Sequence, residues 1–515
     1  MTATTASYHS DLPRGCDGFA QLARAEWTKF RTVRGWMIAA LASMLVVVLF
    51  AWIATHQHKN YNCAGPTSCP PSHAPVPVGP GGEAVSDTYY FVHRTLAGPG
   101  SIAVRVGGLT SRSGAIQPWA KAGISITAST KPGSAYAAVM VTGAHGARMQ
   151  YDYTHDTASA ASGSAGSPVW LRLTRAGGAL TGYDSLDGVH WAKIRTAHLD
   201  GLPIAVQAGL FVTSPETTLL THQPGRLTAD TLSQATSASA TFDQPSVQGN
   251  WRSGAWRGEF VGANDLTAMQ GPIPGYQSSS RGFTLSGSGD IAPAVGVEAA
   301  YTAQLPLAGV FAGLILLIVV ATMFMTAEYR RGLIHLTLAA SPRRGRVLAA
   351  KAIVVAAVSF IAGAAAAAIA LPLGEHLLRS NGNYVYPTSA LTSLRVILGT
   401  GALVAIAAVL AVALGAAIRR SAGAVCATIV LIVLPYILAT ASALPSSVSQ
   451  WLMRVTPAAG FAIQQTLPQY HQVSYPYTPS NAFYPLSPAA GLAVVGGYAL
   501  VALAVASYLL RSKDA

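Results

Sequence analysis

The chain has 515 residues, of which 51% are hydrophobic and only 10% are charged, and its formal net charge is +13. Soluble globular proteins rarely have so few charged residues, so this composition excludes a purely soluble protein. The positive charge does not indicate nucleic-acid binding, because the lysines and arginines cluster at the ends of apolar segments. The composition therefore predicts a membrane protein without a nucleic-acid partner.

The N-terminal residues 1–34 have the pattern of a cytoplasmic segment with an amphipathic helix at the membrane surface. Phe19, Leu22, Trp27, Phe30 and Val33 alternate there with basic and small residues, which is typical of an interfacial helix. The alternative is an ordinary juxtamembrane segment whose cations only set the topology, and the two interpretations are compatible.

Six segments reach the length of about 20 apolar residues that a helix needs to cross a bilayer. We predict transmembrane helices at residues 35–55, 305–327, 347–373, 394–418, 422–444 and 489–510. A cleaved signal peptide is the alternative for the first segment. Its apolar stretch is too long for a signal peptide, and a patterned segment precedes it, so we favour a retained anchor.

The distribution of cations predicts the orientation of these helices. Cations are dense before the first segment, between the second and third, in the turn at Arg419 and Arg420, and in the tail 511–515. The short connections after the third and fifth segments carry only Arg379 and Arg454, respectively. By the positive-inside rule, both termini are cytoplasmic and the region between the first two helices is extracellular. We therefore expect a multi-pass protein of the plasma membrane, that is, a bacterial cytoplasmic membrane.

The extracellular region begins with a Pro- and Gly-rich stretch at residues 56–86, which predicts a linker that lifts a domain off the membrane. Cys63 and Cys69 lie in this stretch, where an oxidising compartment permits a disulfide between them. Metal binding is the weaker alternative, because the histidines nearby lack a tight ligand spacing. We expect no metal site.

Residues 87–247 contain short alternating strands separated by Gly, Pro and Ser, and this pattern predicts an antiparallel β-sandwich. The stretches "WAKAGISITAS", "VWLRLTRAGGALTGYDSLDGVHWAKI" and "AGLFVTS" resemble successive strands of concanavalin-like, or laminin-G-like, sandwiches. Residues 248–304 are predicted as a β-rich extension and return linker. Trp251, Trp256 and Tyr276 are either core residues or platforms for sugar rings.

We expect no catalytic residue in this chain. A glycosidase needs two carboxylates across one bond, and the sandwich shows no such run, nor does the chain carry a zinc-protease motif or a phosphate-binding loop for ATP. We therefore expect no cofactor in the chain itself.

The link between the second and third predicted helices, residues 328–346, combines five arginines with the pattern of a sharp knee. Ser341 is a good helix N-cap and Pro342 suits the first helical position, so a second helix is predicted to restart there. The simpler alternative is that these cations only set topology and contact anionic lipid headgroups.

The order "EYRRGLIHLTLAASPRRGRVLAAKAI" resembles the first cytoplasmic loop of type-2 ABC transporter permeases. "RAEWTKFRTVRGW" resembles the interfacial helix of that family, and "LPSSVSQWLMRVTPAAGFAIQQ", within residues 445–488, resembles its extracellular re-entrant helices. The resemblance implies a loop that couples the chain to a cytosolic ATPase. The coupling residues it implies are Glu328, Arg330, Arg331, Gly332, Leu333, Leu336, Thr337, Ser341, Pro342 and Arg343.

The predicted fold class is therefore an α-helical polytopic membrane protein with six transmembrane helices, plus an all-β extracellular sandwich. The function that the resemblance implies is the permease subunit of an ATP-driven exporter. Its partners would be two copies of an ABC ATPase, which bind ATP and Mg²⁺, a second permease copy and membrane lipids. The large inserted domain departs from the family pattern and leaves cell-envelope glycan open as a partner. The alternative function is a membrane-anchored glycan- or cell-wall-binding sensor that does not transport.

Overall fold

The computed structural model of the chain describes residues 18–58, 76–111, 114–160, 168–222, 229–262, 274–296, 300–330, 332 and 343–512. In these residues, a bundle of helices carries a β-rich domain between its second and third helices. The described helices are α1 Phe19–Thr32, α2 Arg34–His56, α3 Val310–Arg330, α4 Arg344–Ser380, α5 Ala390–Ile418, α6 Ser421–Thr440, α7 Ser446–Val455 and α8 Pro488–Ser512.

Six helices in the described part of the chain are long and apolar enough to cross a membrane, as the sequence predicted: α2, α3 with the 3₁₀ turn Leu305–Gly309 before it, α4, α5, α6 and α8. A second 3₁₀ segment, Pro457–Gln464, is buried between α7 and α8. The side of the membrane that each helix end faces stays a prediction. We call the end of the bundle next to the β-rich domain the proximal end and the opposite end the distal end.

Glycine allows the helices to approach closely. A Cβ atom at Gly309 would lie 2.2 Å from the Cβ atom of Phe50, and one at Gly313 would lie 2.5 Å from Cγ2 of Val47. Because small residues let helix backbones pack at short distance, these two glycines, one just before α3 and one within it, bring α3 close to α2. The close packing makes the bundle a continuous apolar core.

Helix α1 precedes α2 and packs on the distal end of the bundle. Phe30 is buried, with its ring centroid 5.7 Å from that of Trp36 and 5.4 Å from that of Phe324. Phe19 and Trp27 remain exposed. One face of α1 is therefore fixed to α2 and α3, and the other is free to meet solvent or lipid headgroups.

The described strands are β1 Val85–Asp87, β2 Tyr89–Val106, β3 Lys121–Thr127, β4 Tyr136–Thr142, β5 Ala147–Tyr151, β6 His155–Ala158, β7 Val169–Ala176, β8 Ala179–Ser185, β9 Ala192–His198, β10 Ala205–Thr213, β11 Thr217–His222, β12 Ala229–Gln234, β13 Ala238–Trp251, β14 Arg257–Val261, β15 Gly275–Ser278, β16 Gly282–Gly287, β17 Ile291–Pro293, β18 Ala300–Tyr301 and β19 Tyr384–Val385. All but the last belong to the chain between α2 and α3.

Thirteen of these strands form one sheet that folds back on itself through strand β2. The first half of β2 pairs with β10 and β14, and its second half pairs with β7 and β13. The two halves enclose one apolar core, to which β2 contributes Val92 and Ile102. Gly98, with φ of +116°, and Gly100 lie where β2 passes between the halves. The β-rich domain is therefore one nearly closed sheet wrapped around an apolar core.

The sheet continues past residue 247, where the sequence placed the end of the sandwich. Strand β14 is an edge partner of β2, and β16 pairs with β13 over six residues from Ala238 to Asp243. Residues 257–261 and 275–287 therefore pair within the same sheet. They complete the pairing of the two longest strands.

A two-stranded ribbon of β1 and β17 covers the outer face of one half of the sheet. Val85 and Ile291 from this ribbon pack with Phe91, Met140 and Phe211 in a second core. The described part of the predicted linker, residues 76–86, is thus engaged with the β-rich domain. Cys63 and Cys69 lie outside the described residues.

Asp87 is a buried carboxylate in this ribbon. Its Oδ2 atom accepts hydrogen bonds from the Tyr153 hydroxyl at 2.8 Å and from the Gly133 backbone N–H at 2.9 Å. Burial raises the pKa of Asp87 from 3.8 to about 6, and these two hydrogen bonds only partly oppose the effect. Keeping Asp87 ionised at neutral pH therefore lowers the stability of the folded domain.

We predict that Asp87→Asn stabilises the β-rich domain at about pH 7.5 and has little effect at about pH 4. Because the folded-state pKa is raised, stability is lost as the pH rises from about 4 through about 6, and the amide avoids this loss while still accepting both hydrogen bonds. The gain at about pH 7.5 has an upper bound of about 3 kcal/mol. Thermal unfolding of the full-length protein, followed by tryptophan fluorescence at both pH values, measures it. Equal destabilisation at both would contradict the prediction.

The β-rich domain is attached to the proximal end of the bundle by backbone pairing and side-chain hydrogen bonds. Strand β18 pairs in parallel with β19, which lies between α4 and α5. The Tyr384 hydroxyl donates to the Gly82 carbonyl, and the Gln472 Nε2 atom donates to the Tyr153 carbonyl at 3.1 Å. The domain is therefore seated on loops of the bundle rather than lifted away from them.

An apolar cluster fills the space between the domain and these loops, and we call it the docking cluster. Its buried members are Ala84, Ala294, Val295, Ala300, Tyr386, Leu467 and Phe483, with Tyr475 and Tyr477 packed against them. Gly296 lies at its edge, where an added Cβ would fall 2.2 Å from the ring of Tyr475. The cluster joins the β-rich domain to the loops that follow α4 and α7.

Candidate functional site

Four charged side chains meet at the distal end of the bundle, and we call them the charged cluster: Glu26, Lys29, Glu328 and Lys351. The Nζ atom of Lys351 lies 2.6 Å from Oε2 of Glu26 and 2.6 Å from Oε1 of Glu328. The Nζ atom of Lys29 lies 2.7 Å from Oε1 of Glu26 and 3.1 Å from Oε1 of Glu328. Two carboxylates and two ammonium groups thus form one neutral network.

Helix geometry places these groups together. Glu26 and Lys29 are three residues apart on α1 and share a face of that helix. Glu328 lies in the last turn of α3, and Lys351 lies about two turns into α4. Residues 328–346, between α3 and α4, are called the connecting segment. The network therefore ties α1 to both of the helices, α3 and α4, that flank this segment.

Burial makes the network sensitive to any change in charge. The side chains of Glu26 and Lys351 have no exposed surface, and that of Glu328 is 10% exposed. An unpaired charge in such a place costs several kcal/mol, so each buried member requires its partners. The Lys351 ammonium also lies 4.5 Å from the ring centroid of Phe324, which adds a cation–π contact.

Lys29 is the half-exposed member of the cluster. Burial alone would lower its pKa, but the hydrogen bond and attraction from Glu26, joined by those from Glu328, outweigh that effect and hold the pKa above its usual value. Lys29 is therefore charged at neutral pH and balances the second carboxylate.

Neighbouring contacts tie further helix ends to the same region. The Arg344 guanidinium donates to the Leu510 carbonyl, which links the start of α4 to the end of α8. The hydroxyls of Thr326 and Ser421 lie 2.8 Å apart and link α3 to α6. The Arg419 guanidinium lies 5.5 Å from the ring centroid of Tyr329. The distal ends of five helices are thus connected around the charged cluster.

The structure places some of the residues that the sequence assigned to coupling. Glu328 belongs to the charged cluster, Arg330 ends α3, and Arg343 directly precedes α4. Gly332 has φ of +66°, and its N–H donates to the Tyr329 carbonyl at 3.2 Å, as expected of a glycine that terminates a helix. The other predicted coupling residues lie outside the described residues: Arg331, Leu333, Leu336, Thr337, Ser341 and Pro342.

Sequence reasoning missed the partners of Glu328. It assigned neither Lys351 nor Glu26 to the site. The available signal was in α1, where Glu26 is four residues before the buried Phe30 and so lies on the apolar face of an amphipathic helix. An acidic residue at such a position indicates a buried basic partner.

The aromatic residues proposed as sugar platforms pack largely on the core of the sandwich. The ring centroid of Trp256 lies 6.0 Å from that of Trp251 and 5.8 Å from that of Phe283. The Arg94 guanidinium covers Trp256 at 5.5 Å. Of the three proposed residues, Tyr276 alone is exposed, at 37%. The contacts favour the core interpretation for both tryptophans.

No protein-family model matches the chain, and no curated protein matches it. A functionally unknown protein from Saccharomyces cerevisiae is 16% identical over 31% of this chain and 74% of its own, with a TM-score of 0.19. The GH43 protein BlXynB from Bacillus licheniformis is 16% identical over 29% and 27% of the two chains, with a TM-score of 0.20. Scytalido-glutamic peptidase is 12% identical over 39% and 98%, with a TM-score of 0.23. Similarities this low assign no family.

Proposed function

We propose that this chain is the transmembrane permease subunit of an ATP-driven exporter of the type-2 ABC class. Two copies form the translocation pathway, and two copies of a separate cytosolic ATPase drive it by binding and hydrolysing ATP with Mg²⁺. The ATPase acts through the connecting segment, residues 328–346. The observation that supports this proposal best is the charged cluster, because it joins the helices on both sides of that segment.

The charged cluster would transmit a movement of the connecting segment to α1, α3 and α4. Helix α3 ends two residues after Glu328, and α4 begins seven residues before Lys351. A force on the segment therefore reaches both helices close to their shared salt bridge, and Glu26 passes it to α1. Buried, hydrogen-bonded charges hold one geometry tightly, so the three helix ends would move as a unit.

Helix α4 extends this leverage to the proximal end. Its 37 residues span about 55 Å, well beyond the hydrocarbon core of about 30 Å. Asn381, which follows α4, donates to the Thr55 carbonyl at the end of α2, and β19 pairs with the β-rich domain. A tilt of α4 at the distal end would thus displace the seat of the β-rich domain.

The experiment that tests the proposal places charge in the expected ATPase contact. We predict that the double variant Leu333→Asp and Leu336→Asp loses the copurifying ATPase and its stimulated ATP hydrolysis by about tenfold or more, because two carboxylates would be desolvated in an apolar groove. The measurement is copurification of a Walker-motif ATPase with the tagged full-length protein, followed by ATP hydrolysis of the complex.

The matched control adds the same two charges elsewhere. Leu186 and Val189 are 61% and 72% exposed on a hairpin of the β-rich domain, and their double Asp variant should keep the ATPase bound. Equal ATP hydrolysis in the Leu333 and Leu336 variant and the parent would overturn the coupling role. Purification of the parent without any ATPase would favour the membrane-anchored sensor instead.

A further inference from the structure

The outer face of the second half of the sheet presents an aromatic group built around an arginine that has no acidic partner among the described residues. We call it the aromatic platform: Trp170, Arg172, Tyr183 and Trp191. Trp170 and Arg172 are on β7, Tyr183 is directly opposite Arg172 on β8, and Trp191 immediately precedes β9. Val169, Leu171 and Leu173 of β7 face the core, so the alternation of the strand directs Trp170 and Arg172 outward.

Arg172 is held between two aromatic rings. Its guanidinium carbon lies 4.2 Å from the ring centroid of Trp191 and 4.7 Å from that of Tyr183. Its Nε atom is shielded from solvent and has no hydrogen-bond partner among the described residues. Stacking fixes the guanidinium plane but leaves its N–H donors, which suit a carboxylate or phosphate, without an acceptor.

The carboxylates close to the platform are engaged elsewhere. Asp184 faces the interior and accepts from the Ser159 hydroxyl at 2.7 Å. Asp187 accepts from the backbone of its own turn, at Val189 and His190, and Asp243 is 3.6 Å from Arg105. Among the described residues, Arg172 therefore has no acidic partner, because each of these carboxylates is paired with a hydroxyl, a backbone N–H or another arginine.

The location of the platform leaves it accessible to an extended ligand. The opposite face of the sandwich is covered by the ribbon of β1 and β17, and it is on that side that Gly82 and Tyr153 contact the bundle. The platform is consequently on the face turned away from the helices. Trp170, Tyr183 and Trp191 are each partly exposed there.

We propose that the aromatic platform binds an acidic saccharide, with the sugar ring packed against the exposed tryptophan surface and its carboxylate paired with Arg172. Aromatic walls with a few fixed polar groups are typical of ligand sites, and the rings here supply the apolar surface that the C–H face of a sugar needs. A positive charge without an acceptor in the described part of the chain selects for an acidic over a neutral sugar. This site does not depend on transport, since a non-transporting binding protein would use it equally.

Three probes separate the parts of this site in a binding assay with the full-length protein in detergent. Oligogalacturonate carries both a ring and a carboxylate, a neutral oligoglucan carries only the ring, and poly(glycerol phosphate) carries only the negative charge. We expect saturable, salt-sensitive binding of oligogalacturonate and at least about tenfold weaker binding of the other two. Equal binding of all three, or none of oligogalacturonate, would overturn the proposal.

Substitutions at the platform complete the test. Arg172→Gln and Trp191→Leu should each weaken oligogalacturonate binding by about tenfold or more, with Arg172→Lys intermediate because lysine lacks the planar fork. Arg281→Gln removes an exposed arginine from a turn of the same domain and should bind as the parent does. Thermal unfolding identifies any misfolded variant. Unchanged binding by a folded Arg172→Gln protein would exclude this site.

Discussion

We expect Lys351→Met to destabilise the helix bundle by about 3–5 kcal/mol, because it removes a cation from the charged cluster. Methionine keeps most of the apolar length of the side chain but removes the ammonium from between two carboxylates, and with it the cation–π contact with Phe324. Glu26 and Glu328 are then left close together with Lys29 as their one cation in the described part of the chain. A buried ion pair that loses one partner costs about this much because the remaining charge is desolvated. Denaturant unfolding in mixed micelles measures the loss.

Lys29→Met is the matched control, because it removes the same type of group from the same network. The Lys29 side chain is 41% exposed, whereas that of Lys351 has no exposed surface. Water can replace part of what Lys29 provides, so its substitution should cost only about 1 kcal/mol. Equal losses for the two variants would show that burial does not set the strength of the cluster.

A neutral variant separates stability from coupling. Replacing the buried charges together, with Glu26→Gln, Glu328→Gln and Lys351→Met, should recover most of the stability, since no buried charge is left unpaired. If the cluster transmits force from the connecting segment, this stable variant should still lose stimulated ATP hydrolysis. Parental hydrolysis in the neutral variant would assign the cluster a structural role alone.

The membrane-crossing helices were predictable from the sequence because long apolar segments need no tertiary information. The residues at which these helices begin and end were less predictable. The predicted segment 347–373 lies inside α4, Arg344–Ser380, since the helix continues into polar residues that hydropathy ignores. The segment predicted at 422–444 ends earlier, at Thr440, where Ser442 adopts φ of +54°. Hydropathy identifies the part of a helix that meets lipid, whereas hydrogen bonding decides where the helix ends.

The long strand β2 shows a different limit of sequence reasoning. The run Gly98-Pro99-Gly100 has the composition of a turn, and residues of this type ordinarily interrupt a strand. In the structure, β2 extends from Tyr89 to Val106 through these residues and contributes to both halves of the sheet. Tertiary pairing with β10 before this run and with β7 after it outweighs the local signal.

The charged cluster could not be predicted as a site, because its members are remote in sequence. Lys351 is 325 residues from Glu26, and Lys29 is 299 residues from Glu328. The entire β-rich domain lies between α2 and α3, so no spacing rule relates these positions. Each residue looks alone like a charge at the end of a span, and only the packing of α1 onto α3 and α4 brings them together.

Gly296→Val is expected to release the β-rich domain from the bundle. Gly296 has φ of +72°, and a Cβ atom there would lie 2.2 Å from the Tyr475 ring, far inside van der Waals contact. The Tyr475 ring would have to leave the docking cluster, and its contacts with Tyr477 and Phe483 would be lost. We expect faster backbone hydrogen exchange at β18 and β19 and new protease cleavage next to Gly296, with the core of the β-rich domain still protected.

Gly146→Val provides the control that separates this clash from backbone strain. Gly146 has φ of +69°, nearly the same as Gly296, but nothing lies within 4 Å of an added Cβ atom. Both variants bear the cost of about 1–2 kcal/mol of a left-handed backbone with a side chain, and only Gly296→Val disturbs the docking cluster. Because β19 directly follows α4 in the chain, release of the domain should also change ATP hydrolysis if α4 links the connecting segment to the domain. If the β-rich domain is released and ATP hydrolysis is unchanged, α4 does not link the connecting segment to that domain.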